Sequence, residues 1–324
     1  MSRTFWLCIL VLSCLTAPAR SAGVQLLDSD PRLEGAIWYP CVAEPRAVEL
    51  GRLSVQIVST IDGVKDCPLT ATKLPLVVLS HGRGGWFAAH IDVAEALADA
   101  GFVVAAINHP GDNGNDSSKR DTLSLWQSRP DDIVRLIDYV LNDWKDRAAI
   151  DRTKIGLFGF SLGGATGFLV AGVKPDFDRL ARVCNQQAGI CAQLANGEAP
   201  PAPSHDSRIR AAVIVDPPST VFTADNLAAI GIPLQFWRSE QGGGGVDPAG
   251  TSRVAAALPG KPEIHAVPAG HYAFLAPCTP QFAVALPRFC SDPAGFDRLA
   301  FHREFDATIV RFFKAHLVDG NPPR

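Results

Sequence analysis

Six short runs, apolar almost from end to end, most constrain what this chain can fold into: "LPLVVLS" (74–80), "FVVAAIN" (102–108), "KIGLFGF" (154–160), "IRAAVIVD" (209–216), "IPLQFW" (232–237) and "PEIHAV" (262–267). A strand with one wet face alternates polar and apolar residues, so unbroken apolar runs belong to strands covered on both faces. Between them lie helical stretches such as "FAAHIDVAEALADAG" (87–101) and "RPDDIVRLIDYVLNDW" (129–144), the second with Pro130 at its expected start. Strand and helix in alternation predict an α/β fold, a mostly parallel central sheet with helices on both faces. Ahead of it, "LEGAIWYP" (33–40) and "LSVQIVSTI" (53–61) have the alternation and β-branched content of antiparallel strands. With 47% hydrophobic residues in 324, the chain can bury a large core. Residues 174–208, rich in Pro, Ala and small polar side chains, are too long for an ordinary connection. They read as an inserted cap, or as a surface excursion pinned by Cys184 and Cys191 with no role in binding.

The N-terminus has a different grammar. Arg3, the apolar stretch from Phe5 to Leu15 and Ala17-Pro18-Ala19 match the positive, hydrophobic and cleavage regions of a signal peptide. Residues 1–22 are therefore set aside and 23–324 read as one exported domain, secreted or periplasmic. A lipid anchor on Cys14, in "VLSC", is the weaker alternative. No later apolar run approaches the roughly 20 residues of a membrane span. Cys41, Cys67, Cys184, Cys191, Cys278 and Cys290 remain, an even number that falls into three neighbouring couples, the disulfide pairing expected of an exported protein. There is no C-x-x-C and no H-x-x-x-H, so a metal is not expected. A net charge of −3, from 30 basic and 33 acidic residues without long runs, offers no footprint for nucleic acid or an anionic membrane, which points to a small-molecule or lipid substrate.

The chemistry concentrates at Gly159-Phe160-Ser161-Leu162-Gly163, a G-x-S-x-G set between the strand "KIGLFGF" and the helix "SLGGATGFLVAG". Strand, sharp turn and helix lift a serine hydroxyl out of a sheet. A hydroxyl needs a base to become a nucleophile, and His271, in "VPAGHYAFL" directly after the last apolar run, is placed for it. His265 lies inside that run, and His90 and His109 belong to earlier segments. The oxyanion of a tetrahedral intermediate needs backbone donors; the N–H of Leu162 and that of Arg83, in the glycine-rich loop "LSHGRGGW" (79–86), are the candidates. The Arg83 side chain is expected to be solvated, and His81 to brace the loop. Trp86, Phe87, Phe160 and Tyr272 flank the site and are candidates for the substrate pocket.

"LSHGRGGWFAAHIDVAEALADAGFVVAAINHPGD", "GFSLGG", "DSRIRAAVIVDPP" and "PAGHYAF", in this order, resemble the platelet-activating-factor acetylhydrolases and the allied bacterial dienelactone hydrolases, from about Trp38 to His316. The resemblance implies an α/β-hydrolase fold and a cofactor-free serine esterase. Phe160 stands where that family commonly has the histidine of G-H-S-x-G, a departure that bears on substrate preference. The fold most often carries its acid after the next strand, here "IPLQFW" and its four glycines, which would select Asp247 or Glu240; the acetylhydrolases carry it one strand earlier, at a position similar to Asp216. Asp216 also ends a strand directly, ahead of Pro217-Pro218, and a rigid mount suits a group that orients an imidazole. Asp247 and Pro248 can instead begin a helix. The expected activity is carboxylic-ester hydrolysis, of short-chain acyl, phospholipid-acetyl or lactone type, through Ser161, His271 and Asp216. The alternatives are an amidase or peptidase on the same residues, or a binding protein that has lost turnover.

Overall fold

The computed structural model describes residues 21–320 except 186, 200 and 201. The expected signal peptide up to position 20, with Cys14, lies outside the described residues. Ser21 and Ala22 belong to the first strand and pair with Cys41 and Pro40.

Ten strands form one sheet among the described residues: β1 (Ser21–Leu27), β2 (Gly35–Cys41), β3 (Arg46–Glu49), β4 (Thr60–Lys65), β5 (Leu74–Ser80), β6 (Val103–Ile107), β7 (Ile150–Phe160), β8 (Ile209–Val215), β9 (Leu234–Ser239) and β10 (Glu263–Val267). They lie in the order β10-β9-β8-β7-β5-β6-β2-β1-β4-β3. From β10 to β6 every neighbour is parallel; β2 joins β6 and β1 joins β2 antiparallel, β4 lies parallel to β1, and β3 pairs antiparallel with β4. The helices are α1 (Ile91–Asp99), α2 (Leu125–Asn142), α3 (Leu162–Val170), α4 (Phe177–Val183), α5 (Gly189–Ala195), α6 (Ala224–Leu227), α7 (Pro248–Ala257), α8 (Pro280–Ala285), α9 (Pro287–Cys290) and α10 (Arg298–Phe313).

All seven residues of β5 are buried, as a strand with two covered faces requires. Leu76 and Val78 join Ile133 and Leu136 of α2 and Phe168 of α3 in one core. Val77 and Leu79 join Val93 and Leu97 of α1 and Phe305 and Ile309 of α10 in the other. β6 lies on one side of β5 and β7 on the other, so the connections leaving β5 and β7 part around a crevice at the carboxyl ends of the strands.

Two expected elements differ. Residues 53–61 are not one strand: Val55 pairs back onto Val58 around Gln56, whose φ is +53°, and the strand begins only at Thr60. Alternation over so few residues fits a tight turn as well as a strand. Pro130 lies inside α2, which begins at Leu125. The missing proline N–H removes one helical hydrogen bond, to the Trp126 carbonyl, and the buried face of Leu125, Trp126, Ile133, Leu136 and Ile137 holds the helix together across it. Disulfides join Cys41 to Cys67, Cys184 to Cys191 and Cys278 to Cys290. Among the described residues no helix is long and apolar enough to cross a membrane.

Candidate active site

Ser161 occupies the turn between β7 and α3 with φ +55° and ψ −121°, a conformation that non-glycine residues rarely adopt. The turn survives because the neighbouring positions carry no side chain in the way. A Cβ on Gly163 would lie 1.9 Å from the Ser80 carbonyl oxygen, so the start of α3 rests directly on the chain leaving β5. This contact brings the two ends of the expected oxyanion hole together: a Cβ on Gly82 would lie 3.2 Å from that of Ser161. Among the described residues, neither the Leu162 nor the Arg83 N–H donates to a protein acceptor.

The Ser161 hydroxyl donates to His271 Nε2 at 3.0 Å, and His271 Nδ1 donates to Asp216 Oδ2 at 2.7 Å. Asp216 follows β8 with φ +46°, and its carboxylate accepts from the Ser239 N–H at 2.8 Å and the Ser239 hydroxyl at 2.7 Å. Ser239 ends the neighbouring strand, and only the cross-strand register relates it to Asp216; the linear sequence carries no signal for it. His271 opens a single helical turn, His271–Phe274, and its N–H donates to the Gly242 carbonyl at 2.7 Å. The four glycines are thus a strap over the imidazole: a Cβ on Gly244, itself at φ +59°, would come within 2.6 Å of His271 Cδ2. Asp247 is away from this chain; its carboxylate caps α7, accepting from the Ala249 and Gly250 N–H groups. The exposed carboxylate of Glu240 lies 3.9 Å from Arg238.

A cavity of about 420 Å³ opens beside Ser161, lined among others by Leu162, Leu125, Trp126, Ile190, Pro218 and Val246. Ala188, Gly189 and Cys191 also reach it, so the inserted segment contributes to its wall, and Trp126 packs edge-on against Phe177 of α4. The four expected pocket aromatics do not line it. Phe160 is buried and stacks on the His271 ring at 4.6 Å between centroids; Phe87 is buried against Trp38; Trp86 packs on Phe87; and Tyr272 packs against Phe289. These aromatics fill the space behind the serine, whereas α2 and α5 supply the wall in front of it. The Arg83 side chain is exposed, as expected, and its guanidinium makes a two-point ion pair with the equally exposed Asp121 at the cavity rim. A larger groove, about 580 Å³, lies between Ile57 and the stretch Pro280–Ala285 and presents no nucleophilic or titratable side chain.

Beneath the loop 81–86 lies a second polar chain. The Ser80 hydroxyl donates to His109 Nε2 at 2.9 Å and His109 Nδ1 donates to Asp132 Oδ2 at 2.9 Å. His81 Nδ1 donates to the Gly82 carbonyl and its Nε2 accepts from the His109 N–H, so His81 braces the loop. Burial, helped by the nearby Arg129 charge, holds both His81 and His109 far below the usual histidine range. Burial also pushes the Asp132 carboxyl up to about 6, against the pull of Arg135 and Arg129. Elsewhere, Asp92, His302 and Asp306 can each offer one metal-ligand atom within 4.8 Å of the others, and His302 Nε2 donates to the Ala273 carbonyl in the turn that carries His271.

Residues 75–188 match the alpha/beta hydrolase fold family. A monoglyceride lipase from Mus musculus is 29% identical over 108 residues, which is 33% of this chain and 33% of that protein, so the chain matches about a third of the length of this curated relative. A ferulic acid esterase from Streptomyces cinnamoneus is similar in structure, with a TM-score of 0.61 at 20% identity, covering 95% of this chain and 94% of that one. The chain has the α/β-hydrolase fold.

Proposed function

We propose that the protein is a serine esterase. The observation that carries this reading is the unbroken line from Asp216 through His271 to a serine lifted out of the sheet beside a cavity. Ser161 Oγ attacks the ester carbonyl carbon as His271 Nε2 takes its proton, and the carbonyl oxygen becomes an oxyanion held by the Arg83 and Leu162 N–H groups. Collapse expels the alcohol, which leaves with the proton from His271, and an acyl group remains on Ser161. Water then attacks the acyl carbon while His271 takes one of its protons; the acid departs and the Ser161 hydroxyl is restored. Asp216, fixed by two donors from Ser239, keeps the imidazole in the tautomer that accepts at Nε2 and stabilises its positive form.

A carboxylic-ester substrate is supported by the names of the relatives, a lipase and an esterase. The apolar wall of the cavity suits an acyl group, and the resemblance to the platelet-activating-factor acetylhydrolases points to a short one. Three disulfides and the apolar N-terminal stretch support export to an oxidising compartment. The test is intact-mass and peptide mapping after reaction with a fluorophosphonate, beside hydrolysis of p-nitrophenyl esters of rising acyl length. One adduct on Ser161 and turnover that declines beyond short chains are expected. An unlabelled Ser161 in protein that is folded overturns the assignment.

A further inference from the structure

We infer that Arg129 is a positioning residue for catalysis, the joint that fixes both backbone donors of the oxyanion hole; this rests on the esterase reading above. Arg129 lies on α2, and its side chain is wholly buried. An uncompensated guanidinium is costly to bury, so its partners indicate what the molecule holds in place with it. Nη1 donates to Asp112 Oδ2 at 2.6 Å, and the other oxygen of that carboxylate accepts from the Gly84 N–H at 2.9 Å, one residue after Arg83. Nη2 donates to the carbonyl of His81, two residues before Arg83. Nε donates at 3.2 Å to the Thr166 hydroxyl, which itself donates to the Leu162 carbonyl at 2.9 Å. One rigid fork therefore grips the first donor segment on both sides of Arg83 and the second through the first turn of α3.

Two further bonds hold the end of the loop. The Gly114 N–H donates to the Gly85 carbonyl at 2.7 Å, and the Phe87 N–H donates to Asn108 Oδ1 at 2.9 Å. These hold the loop at its far end and do not reach α3. Among these contacts it is the guanidinium that spans the two pieces. Oxyanion stabilisation depends on donors that need no rearrangement as charge develops, and a displacement near 1 Å in such a site costs on the order of 10² in rate. Arg129 touches no space a substrate would occupy, since it lies under the loop and does not line the cavity. Its effect should therefore fall on kcat with little on KM.

The test compares wild type, Arg129→Lys, Asp112→Asn and Arg129→Met/Asp112→Asn for kcat and KM on p-nitrophenyl acetate, inhibition by a phenylboronic acid that forms a tetrahedral adduct on serine, and thermal melting. Lysine keeps the charge beside Asp112 but cannot fork to His81 and Thr166; the double variant leaves no unpaired charge, so at least one form is expected to fold. The expected result for Arg129→Lys is a kcat lower by about 10- to 100-fold, KM within about threefold, and boronate affinity reduced by the same factor as kcat. Asp112→Asn, which retains an acceptor for the Gly84 N–H, should lose less, on the order of threefold to tenfold. The inference is overturned by a folded Arg129 variant with kcat within about threefold of wild type, by a loss confined to KM, or by boronate affinity that does not follow kcat. A wild-type protein that neither hydrolyses the ester nor takes a label on Ser161 removes the esterase reading, and this inference with it; an active wild type beside an unaffected variant removes this inference alone.

Discussion

Two serine–histidine–aspartate chains lie close together in this molecule, and their bonds are almost the same. Ser161–His271–Asp216 has contacts of 3.0 and 2.7 Å; Ser80–His109–Asp132 has 2.9 and 2.9 Å. The difference is in what surrounds the hydroxyl. Ser80 is the last residue of a regular strand and has no exposed surface, with Arg129 Nη2 at 3.4 Å from its oxygen. Ser161 stands on a left-handed turn, 8% exposed, beside a cavity and two unengaged backbone donors. In the inner chain the same three residue types satisfy one another's hydrogen bonds so that they can be buried. A hydroxyl becomes a nucleophile through strain, access and a place for the oxyanion, and a bond to histidine alone does not confer this.

The comparison breaks most visibly at the serines. Ser161→Ala should lower kcat by at least about 10⁴ while melting as wild type does, whereas Ser80→Ala should keep kcat within about tenfold and lose stability by roughly 1 to 3 kcal/mol, because His109 is left short of a buried partner. Steady-state kinetics and melting of the two purified variants decide it; equal losses of activity would make the inner chain part of the reaction. The acids come next. Asp216→Asn should cost on the order of 10² to 10⁴ in kcat through the wrong imidazole tautomer, and Asp247→Asn should stay within a few-fold, since it caps α7. A reversed order of these two variants would return the acid to the far side of the glycines.

Much of this contrast could be read from the linear sequence, and what could not depends on pairing across strands. The parallel strands β5 to β9 are legible because burial on both faces leaves few polar positions, whereas β10, expected to be covered likewise, is an edge strand with Glu263, Ile264 and Ala266 exposed. The elbow is legible because glycine, serine and glycine sit between a strand and a helix. The placing of Asp216 at the end of a strand is readable in the sequence and separates it from Asp247 behind the glycines, and it is Asp216 that bonds His271. Ser239, Arg129 and the Ser80–His109–Asp132 chain left no local signature: each partner lies on a different element, and only the sheet order and the seating of α2 bring them together. The strand β1 is missed for a different reason: its first residues fall within the stretch set aside as a signal peptide.

A smaller effect should come from the cavity wall that the two chains do not share. The Cys184–Cys191 bond ties the end of α4 to α5, whose first residues line the cavity in front of Ser161 and lie away from Ser80. Replacing both cysteines by serine should raise KM for p-nitrophenyl butyrate by about threefold to tenfold with kcat nearly unchanged, and cost roughly 2 kcal/mol of stability for so short a loop. Unchanged KM in the reduced-loop variant would show that the inserted segment covers the cavity without shaping it.

The smallest expected effect separates the two aspartates by pH. Burial raises the Asp132 carboxyl to about 6 in the folded protein, above its unfolded value near 3.8. Between those values the folded chain holds a proton that the unfolded chain has released, so this group's contribution to stability falls as pH rises from about 4 to about 6 and then levels off. Asparagine does not titrate, and Asp132→Asn lacks that decline. The variant's melting temperature minus that of wild type should therefore climb by roughly 2 to 6 °C between about pH 4 and pH 7, whatever its sign at the outset, since the lost bonds to His109 and Arg135 act at every pH where they exist. Melting curves of both proteins at half-unit steps give the difference directly. A difference that is flat, or that falls with pH, would mean that Asp132 is ionised throughout the range and that the inner chain is held by a full ion pair with Arg135, against the burial argument made for it.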